Sequence, residues 1–195
     1  MSKKIVLATS NKGKVKEYEE MLSPLGYEIL SNADFPNLVE KEENGIDYKA
    51  NALIKALALR EITSLPILAD DSGLEILSLN NFPGLHTGRF AKNKGSYAKA
   101  WEEIFERLEG KKRDARFVCT ICYLGENSSE PHYFEGICPG EILFAPHGDN
   151  GFGYDPIFHS YEANIDFGIA SEEIKNTYSH RGKALQKLRL FLEGK

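Results

Sequence analysis

The sequence predicts an α/β fold, a mixed β-sheet flanked by helices. Three observations lead there. Strand-like and helix-like stretches alternate through the first half of the chain. Strands follow one another between about 114 and 144. No repeat, low-complexity linker or shift in composition divides the 195 residues. A chain of that length fits one domain, or one domain with two lobes, and can bury a sizeable core.

The elements follow in order. "KIVLAT" (residues 4–9) reads as a short apolar strand. "GKVKEYEEMLSPLG" (13–26) reads as a helix whose apolar face is Val15, Tyr18, Met21, Leu22 and Leu25, with Gly26 as its stop. "YEIL" (27–30) is a second strand, and the acidic stretch 32–45 is irregular. A helix is expected over 46–62, then a strand "PILADD" and a separate alternating strand "LEILSL" (74–79) closed by Asn80 and Asn81. Residues 82–95 read as a loop broken by Gly84, Gly88 and Gly95. A helix over 96–110 has Ser96 as its N-cap. Two or three strands then run from 114 to 144, with "GENSSEP" as a turn. A glycine-rich loop spans 147–156, and helices are expected near 171–177 and 180–193.

Composition narrows the function. Hydrophobic content of 42%, charged content of 27% and a net charge of −5 describe an ordinary globular chain. An acidic balance argues against a general nucleic-acid or membrane-surface binder, which needs a basic field. The apolar runs are far shorter than the ~20 residues of a bilayer span. Met1 to Ala8 is basic, then apolar, but the apolar part stops after four residues, too short for a signal peptide. A cytoplasmic place is expected. Cysteine usage agrees, since three cysteines make no disulfide framework. Cys119 and Cys122 form a C-x-x-C inside the strand "RFVCTICYL", where the two-residue period sends them to opposite faces as packing residues.

Four stretches carry chemistry. In "ATSNKGK" (8–14) a strand runs into a helix start, where free N–H groups, the positive dipole end, Lys12 and Lys14 make an anion site. In "LADDSGLEI" (68–76), Asp70 and Asp71 stand at the end of an apolar strand, suited to holding Mg²⁺ or to general-base work, with Ser72-Gly73 as a tight turn. Glu40, Glu42 and Glu43 lie upstream as further acids. In "NGFGYDPIF" (150–158), Gly151 and Gly153 let Phe152 project as a ring for stacking on a base. In "IKNTYSHRGKAL" (174–185), Lys175, His180 and Arg181 gather donors at a helix entrance capped by Ser179. Each stretch also has a plain structural reading: a capped helix, an acidic turn, a buried Phe, a solvated helix end. Jointly they describe a nucleoside-triphosphate hydrolase.

"LATSNKGKVKE", "LADDSGLEI", "FPGLHTGRFA", "GFGYDPIF" and "SHRGKAL" resemble, in order and spacing, the inosine triphosphate pyrophosphatase family, also called Ham1-like or XTP/dITP diphosphatases. The resemblance implies a long mixed sheet flanked by helices, two lobes with a central cleft, and a homodimer. It implies hydrolysis of ITP, dITP and XTP to the monophosphate and pyrophosphate with Mg²⁺, with a purine nucleoside triphosphate as the partner. Carried over, Asp71 resembles the catalytic base and a metal ligand, with Glu42 preferred over Glu43 as the second. Thr9, Ser10, Asn11, Lys12, Gly13 and Lys14 resemble the phosphate-binding stretch, and Ser72 a substrate contact. Phe152, Gly153, Tyr154 and Asp155 resemble the substrate-binding run, and Lys175, His180 and Arg181 the readers of the base.

The chain departs from that pattern at Ala50-Asn51-Ala52, where members commonly carry Glu-Asn-Ala; Asn51 and Lys55 remain. The segment 161–170 is also poorly matched. Pyrophosphatases of the Maf type are the nearest rival, but they open with Ser-Pro-Arg-Arg where this chain has Ser10-Asn11-Lys12-Gly13-Lys14. A nucleotide sensor that does not cleave is opposed by Asp70-Asp71, because carboxylates near phosphates hinder binding unless a cation and chemistry need them. A purely structural protein leaves the charged loops without a purpose.

Overall fold

A computed structural model describes residues 3–194 of the chain, so Met1 and Ser2 of the basic N-terminal stretch lie outside the described residues. Among the described residues the strands and helices are β1 (Lys3–Leu7), α1 (Lys12–Leu22), β2 (Tyr27–Ser31), α2 (Tyr48–Arg60), β3 (Ile67–Ile76), β4 (Phe82–Pro83), α3 (Thr87–Lys94), α4 (Tyr97–Arg107), β5 (Asp114–Leu124), β6 (Pro131–Ile142), β7 (Phe158–Ser160), β8 (Ile165–Asp166), α5 (Glu172–Tyr178) and α6 (His180–Leu192). The strands form one sheet in the order β2-β1-β3-β5-β6-β7-β8, with β4 paired to β3. β1 pairs in parallel with β2 and β3. The pairs β3–β4, β6–β7 and β7–β8 are antiparallel, so the sheet is mixed as expected.

Two compact units divide the chain, one holding residues up to Asp71 with Cys119–Glu135 and Ala184 onward, the other Ser72–Val118 with Gly136–Lys183. In the first, strand alternation sorts the core into two clusters. Ile5, Leu7, Leu68, Cys119 and Ile121 pack against Tyr18 and Leu22 of α1 and Ala184, Leu185 and Leu188 of α6. Val6, Ala8, Ile67, Ala69, Cys122 and Leu124 pack against Ala52, Ala56 and Leu59 of α2. Neighbours in sequence therefore fall in different clusters, as a two-residue period requires. The apolar face expected of α1 is the one that is buried, with Val15, Met21 and Leu25 partly covered beside it. In the second unit, one cluster gathers Leu74 and Ile76 of β3 with Ile104, Phe117, Phe158 and Phe167.

The structure corrects four expectations. β3 is one strand of ten residues, not two strands joined by a turn, so Asp70 to Gly73 lie within it. Residues 82–95 are not a loop: β4, a short 3-10 turn and α3 occupy them, and only Gly84 and Gly95 take positive φ. α2 begins at Tyr48, because Asp47 accepts from the Ala50 N–H and caps it there. β7 and β8 went unassigned, being too short to carry a periodic signal. Ser96 and Ser179 do cap their helices, accepting from the Lys99 and Gly182 N–H groups.

Cys119, Cys122 and Cys138 are all buried and outside any disulfide, and burial pushes the Cys122 thiol up to about 12. The thiolate is the reactive form. Ellman's reagent at pH 8 is therefore expected to modify none of the three in the native protein within minutes and all three in guanidinium; rapid native labelling would contradict this packing.

Candidate functional site

In the first unit the decisive residues lie side by side on β3. Asp70 shares the face of Leu68, toward α1, and Asp71 shares the face of Ala69, toward α2. Both are buried. Lys14 of α1 reaches Asp70 Oδ1 at 3.0 Å, and the Cys119 thiol lies 3.7 Å from Oδ2. Lys55 of α2 stands 3.7 Å from Asp71 Oδ1 and 3.3 Å from Glu43, and donates to the Asp70 carbonyl at 2.7 Å. Asn51, fully buried one turn earlier on α2, donates to Asp71 Oδ2 at 2.9 Å and accepts from the Gly45 N–H at 2.8 Å.

Burial raises the Asp71 carboxyl above its ordinary value; Lys55 and the Asn51 hydrogen bond pull it back, and Glu43 adds to the rise. Burial is the main cause of the rise. The Lys55 ammonium is desolvated, yet Asp71, Asp70 and Glu43 together hold its pKa above the usual lysine value. The result is a carboxylate shifted toward neutrality beside a fixed cation, which suits proton transfer.

The β1–α1 loop is less open than its sequence suggests. Asn11 caps α1 by accepting from the Gly13 and Lys14 N–H groups, and Thr9 Oγ1 accepts from the Asn11 N–H. Those donors are engaged, and so is the Lys14 ammonium on Asp70. Ser10 and Lys12 are exposed, and Ser10 donates to Glu40. Thr9, Ser10, Lys12 and Lys16 border a cavity of about 680 Å³, with Asn32 and Phe35 among its other walls.

The second unit holds another buried acid. Asp155 accepts at one oxygen from Lys175 Nζ, 2.7 Å away, and from the Phe152 N–H at 2.8 Å. Gly151 and Gly153 adopt φ of 75° and 68°, and a Cβ on Gly151 would lie 2.2 Å from the Asp155 carboxylate, so glycine is required where the loop closes on that acid. Lys175 Nζ and Arg181 Cζ sit 5.0 and 5.8 Å from the Phe152 ring centre. Arg181, buried, donates to Ser72 Oγ at 2.9 Å, and the His180 ring stacks on Phe117. Trp101 donates to the Gly153 carbonyl and steadies the loop.

The structure thus brings Ser72, Phe152, Asp155, Lys175, His180 and Arg181 together as one group, and Lys14, Asp70 and Asp71 as another. Tyr154 turns into the core, its hydroxyl on the Thr87 carbonyl, so its side chain serves packing. Glu42 is exposed, whereas the Glu43 carboxylate shares Lys55 with Asp71. Sequence reading left Asn51 and Lys55 without roles. Their four-residue spacing, which puts both on one face of α2, is the signal that finds them.

Comparison with known proteins agrees with the resemblance. The Ham1 family model matches residues 5–191. The chain belongs to the Ham1 family. A dITP/XTP pyrophosphatase of Desulforamulus reducens is 45% identical over 187 residues, 94% of this chain and 92% of the relative. One from Thermus thermophilus is 43% identical, covering 95% and 89%. Among solved structures, a HAM1 protein of Coxiella burnetii superposes with a TM-score of 0.88 at 36% identity, covering all of both chains, and the Staphylococcus aureus Ham1 protein with 0.85 at 34%, covering 98% and 99%.

In this Ham1 chain the Asp71 carboxyl is raised on folding, so the folded state holds its proton more tightly and its contribution to stability falls as pH rises through that window. Lys55→Met removes the main opposing charge and raises the carboxyl further. The variant is expected to lose about 3 kcal/mol in urea unfolding at pH 8 and clearly less at pH 5; equal losses would contradict the pairing.

Proposed function

We propose that the chain hydrolyses deaminated purine nucleoside triphosphates, dITP, XTP and ITP, to the monophosphate and pyrophosphate, clearing them from the nucleotide pool. The observation that carries the reading is the buried Asp71 carboxyl, raised in pKa and set beside Lys55 and Glu43, in a chain more than 40% identical to dITP/XTP pyrophosphatases along nearly its whole length.

Asp71 takes the proton of a water whose oxygen attacks the α-phosphorus; the bond from that phosphorus to the bridging oxygen breaks, and pyrophosphate leaves with the electron pair. General-base catalysis of this kind is worth typically ~10²–10⁴-fold. Lys55, Lys12 and Lys14 face the charge on the phosphates, the larger electrostatic contribution. Ser10, with the loop from Thr9 to Gly13, holds the phosphate end.

No group of three or more His, Cys, Asp or Glu suited to a metal ion occurs among the described residues. The donor set fits Mg²⁺ nonetheless, since that ion takes one or two carboxylates and completes its shell with waters and phosphate oxygens. Asp71 and Glu43 would hold it, and Glu43 replaces Glu42 as the preferred second acid because it flanks Lys55. Bound there, Mg²⁺ would neutralise phosphate charge.

Phe152 stacks on the purine. Lys175, His180 and Arg181 donate toward the 6-oxo group of hypoxanthine and xanthine, where adenine offers an amino donor and leaves them mismatched; hydrogen-bonded sites discriminate by ~10⁴-fold or more. Asp155 aims Lys175. A homodimer and a cytoplasmic place belong to the same reading. No helix among the described residues is long and apolar enough to cross a membrane.

The test is pyrophosphate release from dITP, XTP, GTP and ATP, with Mg²⁺ or with chelator. Rapid release from dITP and XTP only, abolished by chelator, is expected; equal rates on all four would remove the base-reading role. Glu43→Gln is expected to lower the rate by about 10²-fold and Glu42→Gln to leave it near native. The reverse order would restore Glu42 as the ligand.

A further inference from the structure

Two side chains one turn apart on α2 point at β3, and one of them has no role in the chemistry so far. Lys55 supplies charge. Asn51 is neutral, fully buried, and uses both ends of its amide. Its oxygen accepts from the Gly45 N–H at 2.8 Å, and its nitrogen donates to Asp71 Oδ2 at 2.9 Å. A backbone N–H can only donate, so the oxygen must face Gly45 and the nitrogen must face the carboxylate. One rigid amide therefore joins the acidic loop before α2 to the centre of β3.

The loop is built to close on that amide. A Cβ on Gly45 would lie 2.7 Å from Asn51 Oδ1, 2.7 Å from the Ala50 Cβ and 2.8 Å from the Asn51 nitrogen, so only glycine lets the backbone approach this far. Glu43 stands two residues before Gly45 and meets Lys55 at 3.3 Å. Asp71 commits Oδ2 to Asn51, which leaves Oδ1 turned toward the same ammonium at 3.7 Å.

We propose that Asn51 is a positioning residue for the hydrolysis, holding the Glu43 loop and Asp71 in register on either side of Lys55 and fixing which Asp71 oxygen is left for reaction. The inference rests on the function proposed above. Partners that orient a reacting or metal-binding carboxylate typically change activity by about 10- to 100-fold when lost, because displacement of reacting groups by an ångström is enough.

Two variants separate the halves of the brace. Asn51→Asp keeps the shape and an oxygen facing Gly45, but sets a carboxylate oxygen against Asp71. Asn51→Ala removes both contacts. The measurements are kcat and KM on dITP at saturating Mg²⁺, amide hydrogen exchange at Gly45, and thermal unfolding. Both variants are expected to lose about 10- to 100-fold in kcat with little change in KM. The Gly45 amide is expected to exchange faster in Asn51→Ala and near the native rate in Asn51→Asp. Native kcat in either variant, a loss confined to KM, or unchanged Gly45 exchange in Asn51→Ala would overturn the positioning role while leaving the hydrolytic reading intact. Absence of turnover on any nucleotide by the native protein would overturn both.

Discussion

Two carboxylates on consecutive residues can be buried in β3 because a strand turns successive side chains to opposite faces. Asp70 meets Lys14 on one face and Asp71 meets Lys55 on the other. Each acid has its own nearest helix and lysine and its own apolar surroundings, while Lys55 also feels the Asp70 charge. Removing either cation would weaken the compensation of a buried charge, which is far more costly than losing a surface pair. The positions of α1 and α2 on the two faces of β1 and β3 are thus tied to the acids as well as to the apolar clusters that flank them.

The second unit repeats the device with one acid instead of two. Asp155 gathers the Lys175 ammonium and the Phe152 N–H on a single oxygen, and that grip sets both a cation and an aromatic ring. Arg181 sits over the same ring and bonds Ser72, the residue that follows Asp71 in the chain. Helices and β3 carry the Lys14, Lys55, Asn51 and Arg181 contacts, which suits a reaction whose catalysis is mostly positioning and charge.

Much of this was legible in the residues. The periodic stretches gave β1, α1, β2 and α4, and the two-residue period correctly sent Cys119 and Cys122 to different clusters. The motif order pointed to the Ham1 family. What failed was local. Ser72-Gly73 reads as a turn because Ser and Gly favour turns, yet β3 runs straight through both residues. α3 was missed since its one glycine, Gly88, and its polar residues hide a short amphipathic face that buries Thr87, Phe90 and Ala91. That Glu43 meets Lys55 depends on how the loop closes on Asn51, a tertiary contact that spacing alone does not fix. Free N–H groups were expected at the start of α1, but Asn11 takes two of them itself.

The division of labour between the two acids is tested most directly by comparing Asp70→Asn with Asp71→Asn in steady-state pyrophosphate release from dITP, with circular dichroism to verify folding. Asp71→Asn should lower kcat by about 10⁴-fold or more, since the proposed base is lost along with a carboxylate proposed for the cation. Asp70→Asn removes the carboxylate that Lys14 meets and leaves the Asp71 carboxylate in place, so it should change KM more than kcat. Equal collapse of kcat in both variants, or substantial turnover in Asp71→Asn, would contradict the assignment of the chemistry to the face that carries Lys55.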